Sequence, residues 1–210
     1  MTDTEITFYH AAPSRGSIVH WMLEEVDAPY LIELCDLSKG QQKEPGYLAI
    51  NPMGKVPAIV HRGVVITEAA AICCYLAETF PAAGLAPPLG DPQRGTYLRW
   101  LFFEPASLEP AIVDRMLQRA PGSPMALGYG DFDTTLDVVA RAVTPGPFLL
   151  GERFTAADVL IGSALHWGTM VGAVPDRTEL AAYVGRLTAR PAFKRAEAKD
   201  QELRSGASNR

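Results

Sequence analysis

Residues 51–59 read Asn-Pro-Met-Gly-Lys-Val-Pro-Ala-Ile, and residues 64–68 read Val-Val-Ile-Thr-Glu. This pattern predicts a loop, a short strand, a turn and a second strand, which is a β-hairpin entered through a proline. Because Pro57 has no N–H and keeps Val56 out of the helical region, the main-chain groups of Val56 need not be used by the hairpin. An X-Pro bond is also where a cis peptide costs least, about 0.5–1 kcal/mol. We therefore predict a cis Val56–Pro57 bond and an outward-facing edge with which an extended ligand can pair.

A helical pattern begins at Glu68, directly after the second strand of this hairpin. The first N–H groups of a helix have no acceptor within the helix, so free amides and a carboxylate converge beside the Val56 edge. Such a place suits an extended zwitterion, and a peptide can add there as an extra strand. A single Val-Pro pair would favour a simple turn, but the ordered set from Asn51 to Glu68 favours a binding site.

The residues before this hairpin alternate between strand and helix patterns. Residues 6–10 and 30–35 predict two strands, and the segment between them predicts a helix with Glu24 and Glu25 facing outward. A helix between two strands implies a parallel pair joined by a right-handed crossover. With a short helix at 45–50, the order is β-α-β-α-β-β-α, which periodicity alone describes only as a small α/β domain.

The second half of the chain predicts helices and no convincing strand. Residues 82–92 are rich in Pro and Gly and predict a linker, which divides the chain into a domain at 1–81 and an all-helical domain at 93–210. Pro105 and Pro110 predict a kink or an interruption in the first helices of the second domain.

Two features near the C-terminal end of the sequence are structural signals. Thr155 and Asp158 have the spacing of a capping box that opens an apolar helix. The last helix is predicted at 191–203, with a proline at its first position, and residues 205–210 are predicted to fray.

Composition excludes several classes of function. The net charge of -5 over 210 residues argues against a nucleic-acid partner. No apolar run approaches the ~20 residues that span a bilayer, and the N-terminus does not read as a signal peptide, so we expect a soluble, cytoplasmic protein without a membrane partner. The three cysteines and four histidines have neither disulfide nor ligand spacing, and we predict no metal.

Residues 51–59, together with the run Thr-Glu-Ala-Ala-Ala-Ile-Cys-Cys-Tyr-Leu-Ala-Glu at 67–78, resemble the glutathione-binding core of the cytosolic glutathione S-transferase family, bacterial members in particular. The resemblance extends over nearly the whole chain. It implies an α/β plus all-α protein, with an N-terminal thioredoxin-like domain followed by a C-terminal helical bundle domain. It also implies a homodimer that uses glutathione as co-substrate.

The activity implied by this resemblance is conjugation of the glutathione thiolate to a small hydrophobic electrophile, as in detoxification. Two alternatives stay open. One is a transferase-like binding or regulatory module without turnover, and the other is a glutathione-dependent isomerase, dehalogenase or peroxidase.

The family has a Ser, Cys or Tyr around the turn after the first strand, where it activates the thiol. The candidates here are Ser14, Ser17 and Tyr9. We favour Ser14 because it stands early in the loop, although capping the next helix is an equally supported role for its hydroxyl. The loop contains no Cys, which argues against disulfide-forming thioltransferase chemistry.

The resemblance assigns glutathione contacts to Lys55, Val56, Pro57, Glu68 and Ala69. Glu68 would take the ammonium of the ligand, and Lys55 is a candidate for its glycyl carboxylate. Many members have Ser after the acidic residue, so Ala69 leaves only a backbone N–H for the γ-glutamyl carboxylate. The candidates for the electrophile pocket lie in the second domain, although helical spacing also explains most of their aromatic members as core: Trp100, Phe103, Ser107, Met116, Tyr129 and Trp167.

Overall fold

The computed structural model describes residues 5–120 and 122–208. Short 3-10 segments lie at Gln41–Lys43 and Pro81–Ala83, and a π-helical segment lies at Glu104–Leu108. In chain order the strands and α-helices are β1 (Ile6–His10), α1 (Gly16–Val26), β2 (Tyr30–Leu34), α2 (Pro45–Leu48), β3 (Ala58–His61), β4 (Val64–Thr67), α3 (Ala69–Thr79), α4 (Arg94–Phe103), α5 (Glu109–Met116), α6 (Phe132–Val143), α7 (Ala156–Met170), α8 (Thr178–Thr188) and α9 (Pro191–Ser208).

The four strands form one sheet in the order β2-β1-β3-β4. β1 and β2 are parallel, as predicted, with Ile6 opposite Tyr30. β3 runs antiparallel to both of its neighbours, and Ala58 lies opposite Tyr9 on one side and Thr67 on the other. This order and these directions are those of a thioredoxin-like sheet, so the predicted fold of the N-terminal part is confirmed.

Strand alternation decides which side chains of β1 enter the core. Phe8 is fully buried with Met22 of α1 and Leu76 of α3. The neighbouring Tyr9 points to the other face of the sheet, where its ring lies edge-on to Tyr47 of α2, with 5.8 Å between the ring centroids. The two faces of the sheet are therefore covered by different helices.

The described chain divides into two compact units. The first consists of the residues up to Ala83 together with α9, and the second is Gly84–Arg190. The predicted division into domains at 1–81 and 93–210 stays a prediction. α9 lies at the end of the predicted helical domain and packs against α1 of the first unit.

The packing of α9 follows from its apolar stripe. Ala192, Ala196 and Asp200 are buried at intervals of four residues, so they lie on one face of the helix. Phe193 meets Trp21 of α1 edge-on, at 5.1 Å between ring centroids. The helix continues to Ser208, five residues beyond its predicted end at residue 203. The fraying of residues 205–210 stays a prediction, and the last two residues lie outside the described part.

α9 also overturns the prediction that Glu24 faces outward from α1. Its carboxylate is buried and accepts hydrogen bonds from the Tyr30 hydroxyl (2.5 Å), Arg195 Nε (2.7 Å) and Lys199 Nζ (2.5 Å). Burial raises the pKa of Glu24, but the bonds from Lys199, Tyr30 and Arg195 outweigh it and lower the pKa to about 2. The polar residue that periodicity assigned to solvent is an anchor for the last helix.

The first helices of the second unit are interrupted at the prolines, as predicted, by the π-helical segment between α4 and α5. The π-helical segment carries Pro105 in its first turn, and α5 begins directly after it with Pro110 in its own first turn. The N–H of Glu109 donates to the carbonyl of Glu104, so the chain stays hydrogen-bonded through the wider turn.

Among the described helices, none combines the length and the apolar composition that a bilayer crossing requires.

The predicted capping box at the start of α7 is confirmed. One carboxylate oxygen of Asp158 accepts from Leu149 N (2.9 Å) and the Tyr183 hydroxyl (2.8 Å). The other accepts from Thr155 N (2.9 Å) and Thr155 Oγ1 (3.1 Å). Burial is stronger than these donors and raises the pKa of Asp158.

Candidate functional site

Three chain segments leave the sheet at the same end. Tyr9, Ala58 and Thr67 lie side by side in β1, β3 and β4. The loop of residues 11–15 therefore follows β1, Val56 precedes β3 and Glu68 follows β4, all at this end. Neighbouring strands are about 4.8 Å apart, so the outer two of these three strands are separated by about 10 Å. An extended tripeptide has about the same length.

The edge formed by Val56 has the predicted geometry. The Val56–Pro57 peptide bond is cis, as expected from the sequence. The ladder between β1 and β3 ends at Ala58, and the main chain of Val56 makes no hydrogen bond to any part of the chain that the structure describes. Val56 is half-buried, and its N–H and C=O can therefore pair with an added strand.

The loop before Val56 is held by one side chain of α2 and one of the motif itself. Tyr47 Oη and Asn51 Nδ2 donate to the carbonyl of Lys55 at 2.6 and 2.8 Å. Gly54 has a φ of +59°, and a Cβ there would lie 2.6 Å from the carbonyl oxygen of Gln42, so only glycine fits. The Lys55 side chain itself is exposed.

Glu68 sits in an uncommon backbone conformation directly before α3. Its φ of +67° and ψ of +118° lie outside the ordinary regions for a residue with a Cβ. Such conformations cost about 1–3 kcal/mol and concentrate at binding sites. The side chain of Glu68 is exposed, Ala69 is half-buried, and the first-turn amides of α3 have no helical acceptor. This corner therefore offers a carboxylate beside unpaired N–H groups.

Ser14 occupies the loop after β1. Its Oγ accepts a hydrogen bond from the N–H of Gly16 at 2.9 Å, which satisfies one amide at the start of α1. The capping position itself is occupied by Arg15, which makes no side-chain cap. Because Ser14 accepts in this bond, its own proton remains available to a ligand. A second cis bond, Ala12–Pro13, which was not predicted, lies in the same loop.

The other two candidates for thiol activation have different surroundings. Ser17 donates its hydroxyl proton to Asp200 Oδ2 of α9 at 2.5 Å. Tyr9 lies against Tyr47 on the sheet face that α2 covers. The structure thus brings Ser14, Val56 and Glu68 to one end of the sheet and directs Ser17 toward α9.

A buried polar cluster lies beneath the Ser14 loop. His10 Nε2 and His20 Nδ1 lie 3.0 and 2.5 Å from the same oxygen of Asp200, and all three residues are buried. Burial raises the pKa of Asp200, but hydrogen bonds from His10, His20 and Ser17 outweigh it, and the pKa lies well below its ordinary value. This cluster was not predicted from the sequence, where its one signal is an aspartate on the apolar stripe of α9.

Among residues 5–120 and 122–208, the three side chains of this cluster are the ones whose spacing could hold a metal ion. The ligand atoms of His10, His20 and Asp200 all lie within 4.8 Å of one another. Hydrogen bonds from the two histidines already account for the arrangement of the carboxylate. The absence of a metal stays a prediction.

In the second unit, two of the six candidates for the electrophile pocket line a common cavity. The pocket itself stays a prediction. A cavity of about 670 Å³ lies among α5, the start of α6 and residues 171–173, and of the six candidates only Met116 and Tyr129 line it. Trp100 is buried and packs edge-on against Phe103, at 5.2 Å between ring centroids, which is a core contact. Ser107 and Trp167 are half-buried and do not line this cavity.

Comparison with known proteins identifies the family. The model of the glutathione S-transferase N-terminal domain matches residues 4–78, and that of the C-terminal domain matches residues 110–186. Together these matches cover more than half of the chain. The chain belongs to the glutathione S-transferase family.

Individual relatives cover most of this chain. The glutathione S-transferase GstA from Escherichia coli O157:H7 is 27% identical over 175 residues, which are 82% of this chain and 87% of the relative. The disulfide-bond oxidoreductase YfcG from Escherichia coli (strain K12) is 29% identical over 214 residues, covering 93% of this chain and 96% of the relative. A solved glutathione transferase homologue from Sulfitobacter with bound glutathione is 25% identical and covers 93% of this chain and 98% of its own, with a TM-score of 0.76.

Proposed function

We propose that this protein is a glutathione S-transferase that binds glutathione at the common end of β1, β3 and β4 and transfers its thiolate to a small hydrophobic electrophile. The observation that carries the proposal is the strand register, in which Tyr9, Ala58 and Thr67 are aligned. The alignment gathers a hydroxyl, an unpaired main-chain edge and a helix start within the length of a tripeptide. The glutathione bound to the Sulfitobacter homologue supports the choice of ligand.

Each part of glutathione has a complementary group at this site. The cysteinyl main chain pairs with Val56 as a short added strand. The γ-glutamyl ammonium faces the Glu68 carboxylate, and the γ-glutamyl carboxylate accepts from the N–H of Ala69. The side chain of Lys55 is exposed and flexible, and it is the candidate contact for the glycyl carboxylate. Screening by solvent keeps its contribution to the binding free energy small.

The chemical step needs a thiolate near neutral pH. A free thiol has a pKa of about 8.5, and lowering it by two units corresponds to about 2.7 kcal/mol of preferential stabilisation of the anion. A hydrogen bond from Ser14 to the sulfur would supply part of this. The thiolate then forms a C–S bond with the electrophile. In a substitution, the electron pair of the broken bond leaves with the displaced group. In an addition, the electron pair of the broken π bond is protonated.

A second candidate function is glutathione-dependent reduction of disulfides, which the similarity to YfcG favours. Residues 11–17 contain no Cys. Two glutathione molecules would therefore supply both electrons, leaving oxidised glutathione and two free thiols. The same glutathione site serves either reaction, so binding alone does not separate them.

Binding is tested first, by calorimetry with glutathione. Replacing Glu68→Gln removes the charge that faces the ligand ammonium, and we expect the binding free energy to weaken by about 1–3 kcal/mol. The control is Glu78→Gln, the same change at the far end of α3, which should bind like the unaltered protein. Equal affinity in both variants would mean that Glu68 is only an acid at a helix end.

Turnover is tested next, with chlorodinitrobenzene, a hydroperoxide and a small mixed disulfide as substrates. Conjugation of chlorodinitrobenzene supports the transferase, and reduction of the disulfide without conjugation supports the second candidate. Turnover of the hydroperoxide alone would favour a peroxidase. Retention on immobilised glutathione with no turnover would contradict an enzyme and support a binding or regulatory module.

We also propose that the protein acts as a cytoplasmic homodimer. Closed two-fold dimers are the commonest assembly of soluble proteins and are typical of this family. Sedimentation at micromolar concentration should give twice the chain mass of 22.7 kDa. A stable species at the mass of one chain would contradict the dimer.

A further inference from the structure

The position of Ser14 depends on a contact beneath it. The N–H of Gly16 donates to Ser14 Oγ at 2.9 Å. The backbone of Gly16 in turn rests on the imidazole of His10, so closely that a Cβ at Gly16 would lie 2.2 Å from His10 Nδ1. A shift of the His10 ring therefore moves Gly16 and the hydrogen bond that orients Ser14.

The ring of His10 is held by two contacts. It stacks on Phe8 at 4.8 Å between centroids, and its Nε2 bonds Asp200 Oδ1 at 3.0 Å. Its other nitrogen, Nδ1, is buried without a hydrogen-bond partner. Stacking permits the ring to slide in its plane, so the bond to Asp200 is the directional restraint.

The same carboxylate also holds the far side of the loop. Asp200 Oδ2 accepts from Ser17 Oγ at 2.5 Å, whereas Oδ1 takes His10. His20 Nδ1 lies 2.5 Å from Oδ1, and its Nε2 lies 2.9 Å from the Tyr30 hydroxyl, which keeps the carboxylate from rotating. One buried side chain of α9 thus spans the loop that carries Ser14.

We propose that Asp200 is a positioning residue for thiol activation, acting on Ser14 through His10 and Gly16. The inference rests on the proposed function of Ser14 in the glutathione site. Asp200 does not touch glutathione, so it should leave affinity for the ligand almost unchanged. Its effect is on the direction of the Ser14 hydroxyl and therefore on the ionisation of the bound thiol.

Three variants of the full chain separate this role from simple docking of α9. Asp200→Asn removes the charge and one acceptor from beneath the loop. Gly16→Ala would place a Cβ 2.2 Å from His10 Nδ1 and 3.0 Å from Ser14 Oγ, so it disturbs the loop at its other end without changing any residue of α9. Arg195→Gln is the matched control, because it weakens the attachment of α9 to Glu24 at a residue that bonds neither His10 nor Ser17.

Two readouts are made on each variant. The first is amide hydrogen exchange at residues 11–17, which should accelerate in Asp200→Asn and Gly16→Ala but not in Arg195→Gln. The second is the pKa of the bound glutathione thiol, followed by the ultraviolet absorbance of the thiolate. In the first two variants it should rise toward the free value of about 8.5, and the rate at pH 6.5 should fall about tenfold per unit.

The outcomes distinguish the inference from the function on which it rests. If Asp200→Asn and Arg195→Gln lower the melting temperature alike and neither changes the thiol pKa, Asp200 is structural and the inference is overturned. If Asp200→Asn does not fold, an unchanged thiol pKa in Gly16→Ala overturns it in the same way. If the unaltered protein does not lower the thiol pKa, both the inference and the proposed thiol activation fail.

Discussion

Among the residues that the structure describes, each compact unit contains one buried aspartate, and the two are held in different ways. Asp158 and Asp200 are 0% and 2% exposed, and both accept a hydrogen bond from a hydroxyl group. The farthest partner of Asp158 is 25 positions away along the chain, whereas the partners of Asp200 are 180 to 190 positions away. One carboxylate completes a local turn, and the other ties together two distant parts of the chain.

The electrostatic consequences are opposite. Asp158 is surrounded by neutral donors, so burial prevails and raises its pKa. Although burial also raises the pKa of Asp200, the bonds from His10, His20 and Ser17 together lower it. A buried aspartate can therefore stabilise one local turn or restrain two distant parts of the chain, and its partners distinguish the two roles.

The largest expected effect is that of Asp158→Asn. The new amide NH2 would face Thr155 N and Thr155 Oγ1, two donors that now point at the carboxylate. A buried donor without an acceptor costs about 1–3 kcal/mol, so we expect unfolding to become easier by about 3 kcal/mol or more. Urea unfolding at neutral pH measures it. Asp131→Asn is the control, since Asp131 caps α6 at an exposed site and Asn caps equally well. Similar losses in both variants would contradict a special role of burial.

The second prediction concerns acid stability at the attachment of α9. The pKa of Glu24 is lowered to about 2 from 4.5, so its stabilising charge is present above 4.5 and is lost as pH falls toward about 2. Because Arg195 and Lys199 are half-exposed, screening limits the contribution to about 2 kcal/mol.

Glu24→Gln should lack this acid-dependent loss and should be less stable at neutral pH. Urea unfolding at a series of pH values compares the two proteins. Asp200 contributes in the same direction in both of them, so their difference isolates Glu24. Parallel curves would mean that the attachment of α9 carries no such charge dependence.

The third prediction compares the hydroxyl donors of the two aspartates. Thr155→Ala and Ser17→Ala should each cost about 1–2 kcal/mol, because each removes one hydrogen bond to a buried carboxyl group. Local contacts tend to form early in folding and distant ones late. Thr155→Ala should therefore mainly slow folding, and Ser17→Ala should mainly speed unfolding. Stopped-flow kinetics in urea checks this. If the loss of stability divides between the folding and unfolding rates in the same way in both variants, the expected difference between the two aspartates is contradicted.

The smallest effect on stability is expected for Ser14→Ala, about 1 kcal/mol or less, since one amide of α1 loses its acceptor. Its effect on chemistry should be larger. The pKa of bound glutathione should rise by about one unit or more, with a lower rate at pH 6.5 that recovers as pH rises. Melting temperature and the pH–rate profile on the same two proteins check this. An unmoved profile would transfer the role to Tyr9 or a backbone N–H, since Ser17 already donates to Asp200.

The parts of the fold that depend on neighbours in sequence were predictable. The hairpin, the parallel β1–β2 pair and the capping box at Thr155 each involve residues within one or two short windows. The cis bond before Pro57 also follows from residue type. The burial of Glu24 was not predictable, because the cationic side chains that pair with it lie on α9 and no pattern inside α1 reveals them.

The candidate site divides in the same way. The Val56 edge follows from the absent N–H of Pro57, and the free amides follow from any helix start. The choice between Ser14 and Ser17 could not be made from spacing, because the difference between them is the Asp200 carboxylate. An acidic residue on an apolar helical stripe was the available sign that such a partner exists.

α9 lies more than 100 residues along the chain from the rest of its unit, and this affects the order in which the parts of the unit are synthesised. Residues up to Ala83 leave the ribosome long before Asp200 does, and at 5–20 residues per second the interval is on the order of ten seconds. Until Asp200 emerges, His10 and His20 lack the carboxylate that they bond in the folded protein. We expect the newly made first unit to hold the loop of Ser14 loosely until the last helix emerges.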